Sequence, residues 1–238
     1  MSFGGMQLLP QYRAQLDPRF LHWYFGLGAF TSTRMIYGHW PVECTDVDDD
    51  HYNDVVGEVD GHVKEWHNFE TDPDDATWGR NTNSFAISLA GFADANRYDL
   101  GPQCPLPEEI DDFCAETARV CCNHRIPFGN CMSHGEAADN VDQGPNPPYP
   151  TPGLTGDDAA SYGPLTTSGP HACERWDLDC FIDPVTRKLY APQGNVPDGC
   201  LHFPDYWRGM VAALIQQMTR KYWAPQPSSE NEGSPMSP

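Results

Sequence analysis

Residues 107–124, PEEIDDFCAETARVCCNH, constrain the fold more than any other stretch of the chain. Ile110, Phe113, Cys114, Thr117, Ala118 and Cys121 recur at i, i+3, i+4, i+7, i+8 and i+11, the spacing of one buried helical face. Pro107 suits a first turn, where a missing N–H costs nothing, and Glu108, Glu109, Asp111 and Asp112 put negative charge at the positive end of the helix dipole. Pro127 and Gly129 then break the chain. A helix with one apolar stripe needs a surface to cover, and the flanking segments supply one. TRMIYG at 33–38 and SFAISLAG at 84–91 are apolar runs of strand length. Between them, YNDVVGEVDGHVKEW reads as two strands turning at Asp60-Gly61. NCMS at 130–133 is a further short strand that runs straight into His134. The order strand, hairpin, strand, helix, strand predicts an α/β domain with a central mixed β-sheet flanked by helices.

The rest of the chain closes around that unit. Residues 1–29 form an N-terminal arm or helix packed on the domain through Phe20, Leu21, Trp23, Tyr24 and Phe25. Residues 204–223 predict a second helix whose buried face is Trp207, Met210, Val211, Leu214, Met218 and Tyr222. The stretch 139–172, rich in Pro, Gly, Ser and Thr, reads as a long loop, and 224–238 as a disordered acidic tail. No internal repeat and no second domain stand out, so the main domain is placed at 30–223.

Charge removes several function classes. With 14 Lys plus Arg against 34 Asp plus Glu, the formal net charge is −20, whereas phosphate recognition needs clustered cations. Nucleic acid and anionic membrane surfaces are therefore not expected partners. An uncharged glycan or a peptide remains open. The first residues lack the basic, apolar and small-residue succession of a signal peptide, and no run is long enough to span a bilayer. The expectation is synthesis in the cytoplasm, with release or export by other machinery. The nine cysteines include no C-x-x-C pair; Cys114 and Cys121 fall on the helix core face, Cys173 and Cys180 could pair, and most thiols are expected to stay reduced.

Three short motifs place metal-ligating side chains at strand ends or in loops: MIYGHWP with His39, CMSHGEAADN with His134, and ERWDLDCF with Asp177. Two imidazoles and one carboxylate are a catalytic zinc set with a fourth position open. Spacing alone leaves ordinary structural histidines as the competing reading. The acidic run at Asp48, Asp49, Asp50 and Asp54 lacks the calcium-loop pattern and reads as a solvated loop. His62 and His67 line either a cleft or the surface, and Trp66, Phe69, Trp78 and Trp176 either stack on sugar rings or fill the core.

In order along the chain, RMIYGHWP, HYNDVVGEVDGHVKEW, RNTNSFAISLAGF, the helix at 107–124 with RIPFGNCMSHGEAA, and ERWDLDCF resemble the successive motifs of the zinc N-acetylmuramoyl-L-alanine amidases related to peptidoglycan recognition proteins and phage endolysins. The resemblance spans about residues 30–182. It implies the fold of that family, Zn2+ held by His39, His134 and Asp177, and peptidoglycan as substrate. It also implies that Arg175, two positions before the acidic ligand, stabilises the oxyanion. Ser88 stands where many members carry a Glu general base, and a hydroxyl cannot replace a carboxylate in that role. Tyr52 or Glu136 would then assist proton transfer, with support of a ligand as the alternative role for Glu136. Pro41 stands where relatives commonly have Thr. The implied setting is a phage lysin, with virion proteins as further partners. The alternative is a non-catalytic peptidoglycan-binding or structural virion protein of the same fold.

Overall fold

Parallel pairing at the centre of the molecule decides where the chemistry-bearing residues end up. In the computed structural model, residues 10–26, 30–40, 52–57, 64–65, 84–96, 98–136 and 177–225 are described here. β1 (Met35–His39) lies between β4 (Ser84–Leu89) and β5 (Cys131–Ser133) and runs parallel to both. β2 (Asp54–Val56) adds on the far side of β4, also parallel, and β3 (Lys64–Glu65) closes that edge antiparallel to β2. The order is β3-β2-β4-β1-β5. The four parallel strands therefore present their carboxyl ends along one edge, where open α/β sheets bind ligands.

All of β1 and β4 is buried, as expected of strands covered on both faces. The expected pairing of Asp54–Val56 with a second strand is present, with Asp54 opposite Glu65 and Val55 opposite Lys64. The Asp60-Gly61 turn falls outside the described residues.

Helix α3 (Pro107–His124) matches its predicted bounds, and the six predicted stripe residues are buried. The Glu109 carboxylate accepts the Leu106 N–H at 2.6 Å, occupying one donor at the start of the helix. Arg125 takes the left-handed conformation at the other end, and the Ile126 N–H returns to the Cys121 carbonyl. Two short helices, α1 (Pro10–Gln15) and α2 (Pro18–Gly26), bring Phe20 and Tyr24 into the main core.

The closing helix differs from expectation. α4 (Phe203–Met218) stops at Thr219, whose hydroxyl donates to the Ile215 carbonyl, and a separate turn, α5 (Arg220–Trp223), follows. Its buried face is Phe203, Trp207, Val211 and Ile215, whereas Met218 and Tyr222, placed in the core by periodicity, are 48% and 62% exposed. The face rotates because Trp207 anchors on α3, donating its indole N–H to Thr117 Oγ1 at 3.1 Å and packing on Phe113. The break at Thr219 then carries Tyr222 out of register.

Sequence periodicity missed a small antiparallel sheet, β6 (Phe181–Ile182), β7 (Leu189–Tyr190) and β8 (Leu201–His202), in the order β7-β6-β8. Two-residue strands carry no readable period. Asp183 builds the turn between β6 and β7, accepting from the Val185 and Thr186 N–H groups and the Thr186 hydroxyl. Cys180, entering this sheet, is a free buried thiol; Cys173 lies outside the described residues.

His202 of β8 is held to the segment leading into β6, its Nε2 2.6 Å from Asp179 Oδ1. Burial works against the imidazolium, but the Asp179 hydrogen bond and the charges of Asp179, Glu136 and Asp205 outweigh it, so the pKa of His202 is raised. A raised folded-state pKa stabilises fully below the unfolded value of about 6.5 and ceases to do so as pH rises through the folded value. His202→Asn should therefore cost most stability near pH 6 and progressively less above neutrality. Urea unfolding of both proteins across that range checks this, and a pH-independent difference would contradict it.

Candidate metal centre

His39 is the last residue of β1 and is 1% exposed. The residue before it, Gly38, is closely covered by its neighbours. A Cβ on Gly38 would lie 2.9 Å from Leu178 Cδ1 and 3.0 Å from the Trp207 ring. The close approach seats Leu178, and with it the neighbouring Asp177, directly against β1.

His134 begins the helical turn that follows β5. A capping box fixes it: the Ser133 hydroxyl accepts the Glu136 N–H, and Glu136 Oε2 accepts the Ser133 N–H, each at 3.0 Å. Glu136 is in turn clamped by Arg208 of α4, with Nη1 donating to Oε2 and Nη2 to Oε1, both at 2.8 Å. Arg208 also donates to the Cys131 carbonyl and to Asp205. The pair is buried at both ends. Burial disfavours the guanidinium charge, yet Glu136 and Asp205 more than offset that, and Arg208 stays protonated.

Asp177 comes from a turn far along the chain. Its carbonyl accepts the Gly135 N–H at 3.2 Å, tying it to the His134 segment. Leu178 beside it is fully buried at φ +58°, a conformation costing roughly 1–2 kcal/mol for an L-residue. The surrounding packing on Gly38 holds that strain in place.

These three supports converge on one point. Asp177 Oδ2 lies 3.1 Å from His134 Nδ1 and 3.4 Å from His39 Nδ1, and the ring centroids of the two histidines are 4.6 Å apart. The three ligand atoms all lie within 4.8 Å of one another, and all three side chains are buried. In a tetrahedral site with bonds of ~2.0–2.2 Å, neighbouring ligand atoms sit about 3.3–3.6 Å apart, so the spacing suits one small divalent ion with little movement. Burial alone would raise the Asp177 pKa, but the two imidazoles, His134 first, hold it well below the usual carboxylate range. The carboxylate is thus ionised and ready to bind a cation.

Tyr52 is beside the cluster, its ring centroid 5.2 Å from that of His39. The neighbouring Asn53 anchors this segment to β4 by accepting the Ala86 N–H through Oδ1 and donating its own N–H to the Ala86 carbonyl. Glu136 is near in sequence to His134, but both its oxygens are engaged by Arg208 and Ser133. Its geometry is that of a strut holding the His134 turn.

Arg175 lies outside the described residues, as do Asp48, Asp49, Asp50, His62, His67, Trp66, Phe69, Trp78, Trp176 and the stretch 139–172. Asp54, grouped by sequence with the acidic loop, is instead buried on β2, 3.6 Å from Arg119. Sequence reasoning missed Arg208 and the role of Ser133. The S-x-x-E signature at 133–136 was the available signal for the latter, whereas no local pattern marks Arg208 as buried.

Ser88 gives an independent reason to expect a ligand. It is the register partner of His39 on β4, so both side chains leave the same face of the sheet, with Val55 on its other flank. Its hydroxyl is fully buried and makes no hydrogen bond among the described residues. An orphaned buried hydroxyl costs roughly 1–3 kcal/mol unless something completes it. Ser88→Ala should leave the ion-free protein at least as stable as the wild type in urea unfolding. A loss above about 1 kcal/mol would mean the hydroxyl is already satisfied.

No protein-family model matches the chain, and neither the curated proteins nor the solved structures searched contain a match.

Proposed function

We propose that the chain is a zinc-dependent peptidoglycan amidase, cleaving the bond between N-acetylmuramic acid and the L-alanine of the stem peptide. The observation carrying this reading is the buried convergence of His39, His134 and Asp177 at the carboxyl edge of a parallel sheet. Those are the three positions at which the sequence resembles the ligands of the zinc amidases. The mixed α/β architecture is compatible with the same family.

A bound zinc ion supplies Lewis acidity, making water a competent nucleophile near neutral pH and polarising the carbonyl under attack. The chain's own residues supply the rest. His39, His134 and Asp177 would hold the ion, with the two Nδ1 atoms lying 3.4 and 3.1 Å from Asp177 Oδ2. Tyr52, against His39, is the residue assigned to proton transfer. Arg175 is assigned to the negative charge that develops on the carbonyl oxygen. Arg208, Glu136 and Ser133 hold His134 in place and are positioning residues. The chemistry fits a lysin acting on the cell wall.

The test is digestion of purified peptidoglycan by the wild type as isolated, after chelation, and after zinc is restored, with mass analysis of the products. Free stem peptides beginning with L-alanine should form, vanish with chelator and return with zinc. Disaccharide fragments with the peptide still attached would instead identify a glycosidase. Tight binding to the wall with no product in any arm would favour the binding-module reading.

A further inference from the structure

β4 turns its small side chains toward the candidate metal centre. Strand alternation puts Phe85, Ile87 and Leu89 into the main core with α3, and Ser84, Ala86 and Ser88 on the opposite face, the one that carries His39. Ser88 is the register partner of His39 on one side and of Val55 on the other. Neighbouring strands run about 4.8 Å apart, so the Ser88 side chain leaves the sheet directly beside that of His39. Tyr52 precedes β2, on the flank of β4 away from β1, yet its ring centroid is 5.2 Å from that of His39. The two rings therefore meet across β4, where the side chains are small.

The hydroxyl in that place is costly as it stands. Ser88 is fully buried, and its Oγ has no hydrogen-bond partner among the described residues. Alanine would fill the position without the roughly 1–3 kcal/mol that an unsatisfied buried hydroxyl costs. The carboxylate of the cluster does not relieve it, because Asp177 Oδ2 is turned to His134 and His39, at 3.1 and 3.4 Å. A buried donor beside a set of converging ligands calls for an acceptor that arrives with the ligand.

We propose that Ser88 is a positioning residue of the metal centre, its hydroxyl donating a hydrogen bond to the oxygen of the small ligand that shares the ion with His39, His134 and Asp177. A hydroxyl serves two kinds of oxygen ligand, donating to a carboxylate and accepting from a water. Sulfur accepts hydrogen bonds only weakly, so Ser88 tunes the centre for oxygen ligands over thiolates. A borderline-soft ion such as zinc does not supply that preference by itself. This role rests on the metal centre proposed above, not on the substrate assigned to it.

The test uses the full chain loaded with cobalt(II), whose visible spectrum reports ligand exchange, titrated with acetate and, separately, with ethanethiol. Wild type and Ser88→Ala should both take up the ion. Ser88→Ala should then bind acetate about tenfold more weakly than the wild type, the scale of one hydrogen bond to a charged oxygen, while its affinity for ethanethiol stays the same. A variant that weakens both ligands alike has only loosened the site, and that result would overturn the assignment. Equal acetate affinity in the two cobalt-loaded proteins would overturn it as well. A wild type that takes up no cobalt would remove the metal centre itself, and this role with it, which separates that failure from the failure of Ser88 alone.

Discussion

Replacing Arg208 by methionine is expected to lower the free energy of unfolding by about 3–5 kcal/mol, the cost of breaking a buried ion pair at one end. The residue is 1% exposed, and its guanidinium satisfies both oxygens of Glu136 as well as Asp205 and the Cys131 carbonyl. Methionine fills much of the volume but leaves the Glu136 carboxylate buried without the guanidinium that balances its charge. The double variant Arg208→Met/Glu136→Gln, which removes both charges, should recover a substantial part of the loss. Urea unfolding followed by circular dichroism gives both values. A cost under about 1 kcal/mol for the single variant would show that water reaches the pair, since that is the scale of exposed ion pairs.

His134→Ala should abolish hydrolysis while leaving a folded protein. Losing a hydrogen bond that merely supports a metal ligand costs about 10–100-fold in affinity or activity, and losing one of three ligands should cost more. The fold should persist because the capping box uses Ser133 and Glu136, and the strand contacts of β5 use the backbone of Cys131–Ser133. Asp177 would keep His39 as a partner at 3.4 Å. Assaying stem-peptide release alongside far-UV circular dichroism separates the two effects. Activity within tenfold of wild type in a folded His134→Ala protein would remove this residue from the machinery.

The elements that were legible in the sequence are those whose signal is local. Helix α3 was readable end to end because Pro107, its acidic first turn, its six-residue stripe and Pro127 all agree. β1 and β4 were readable as apolar runs of strand length. The candidate site was legible only in part. His39, His134 and Asp177 were picked out by the surrounding motifs, but nothing in the spacing from 39 to 134 to 177 says that they meet. Their meeting follows from parallel pairing of β1 with β5, which brings Gly38 opposite Ser133, and from Leu178 packing on the bare backbone of Gly38.

What stayed hidden has a physical reason in each case. Arg208 reads as a solvent-facing residue on an amphipathic helix until Glu136 is seen to draw it inward. Met218 and Tyr222 fit the helical stripe but lie at and beyond a break set by the Thr219 hydroxyl. The sheet at 181–202 is built from two-residue strands held by turn geometry. The left-handed Leu178 is imposed by packing against a residue 140 positions away in sequence.

The proposed activity depends on a single divalent ion shared by three side chains, and the most direct measurement is metal analysis of the purified wild type with X-ray absorption at the zinc edge. The predicted result is one zinc per chain, coordinated by two imidazole nitrogens and by oxygen donors at about 2.0–2.2 Å, with the ion lost in Asp177→Ala. A wild-type protein that takes up no zinc even when incubated with it, or an Asp177→Ala variant that retains the full complement, would contradict the assignment.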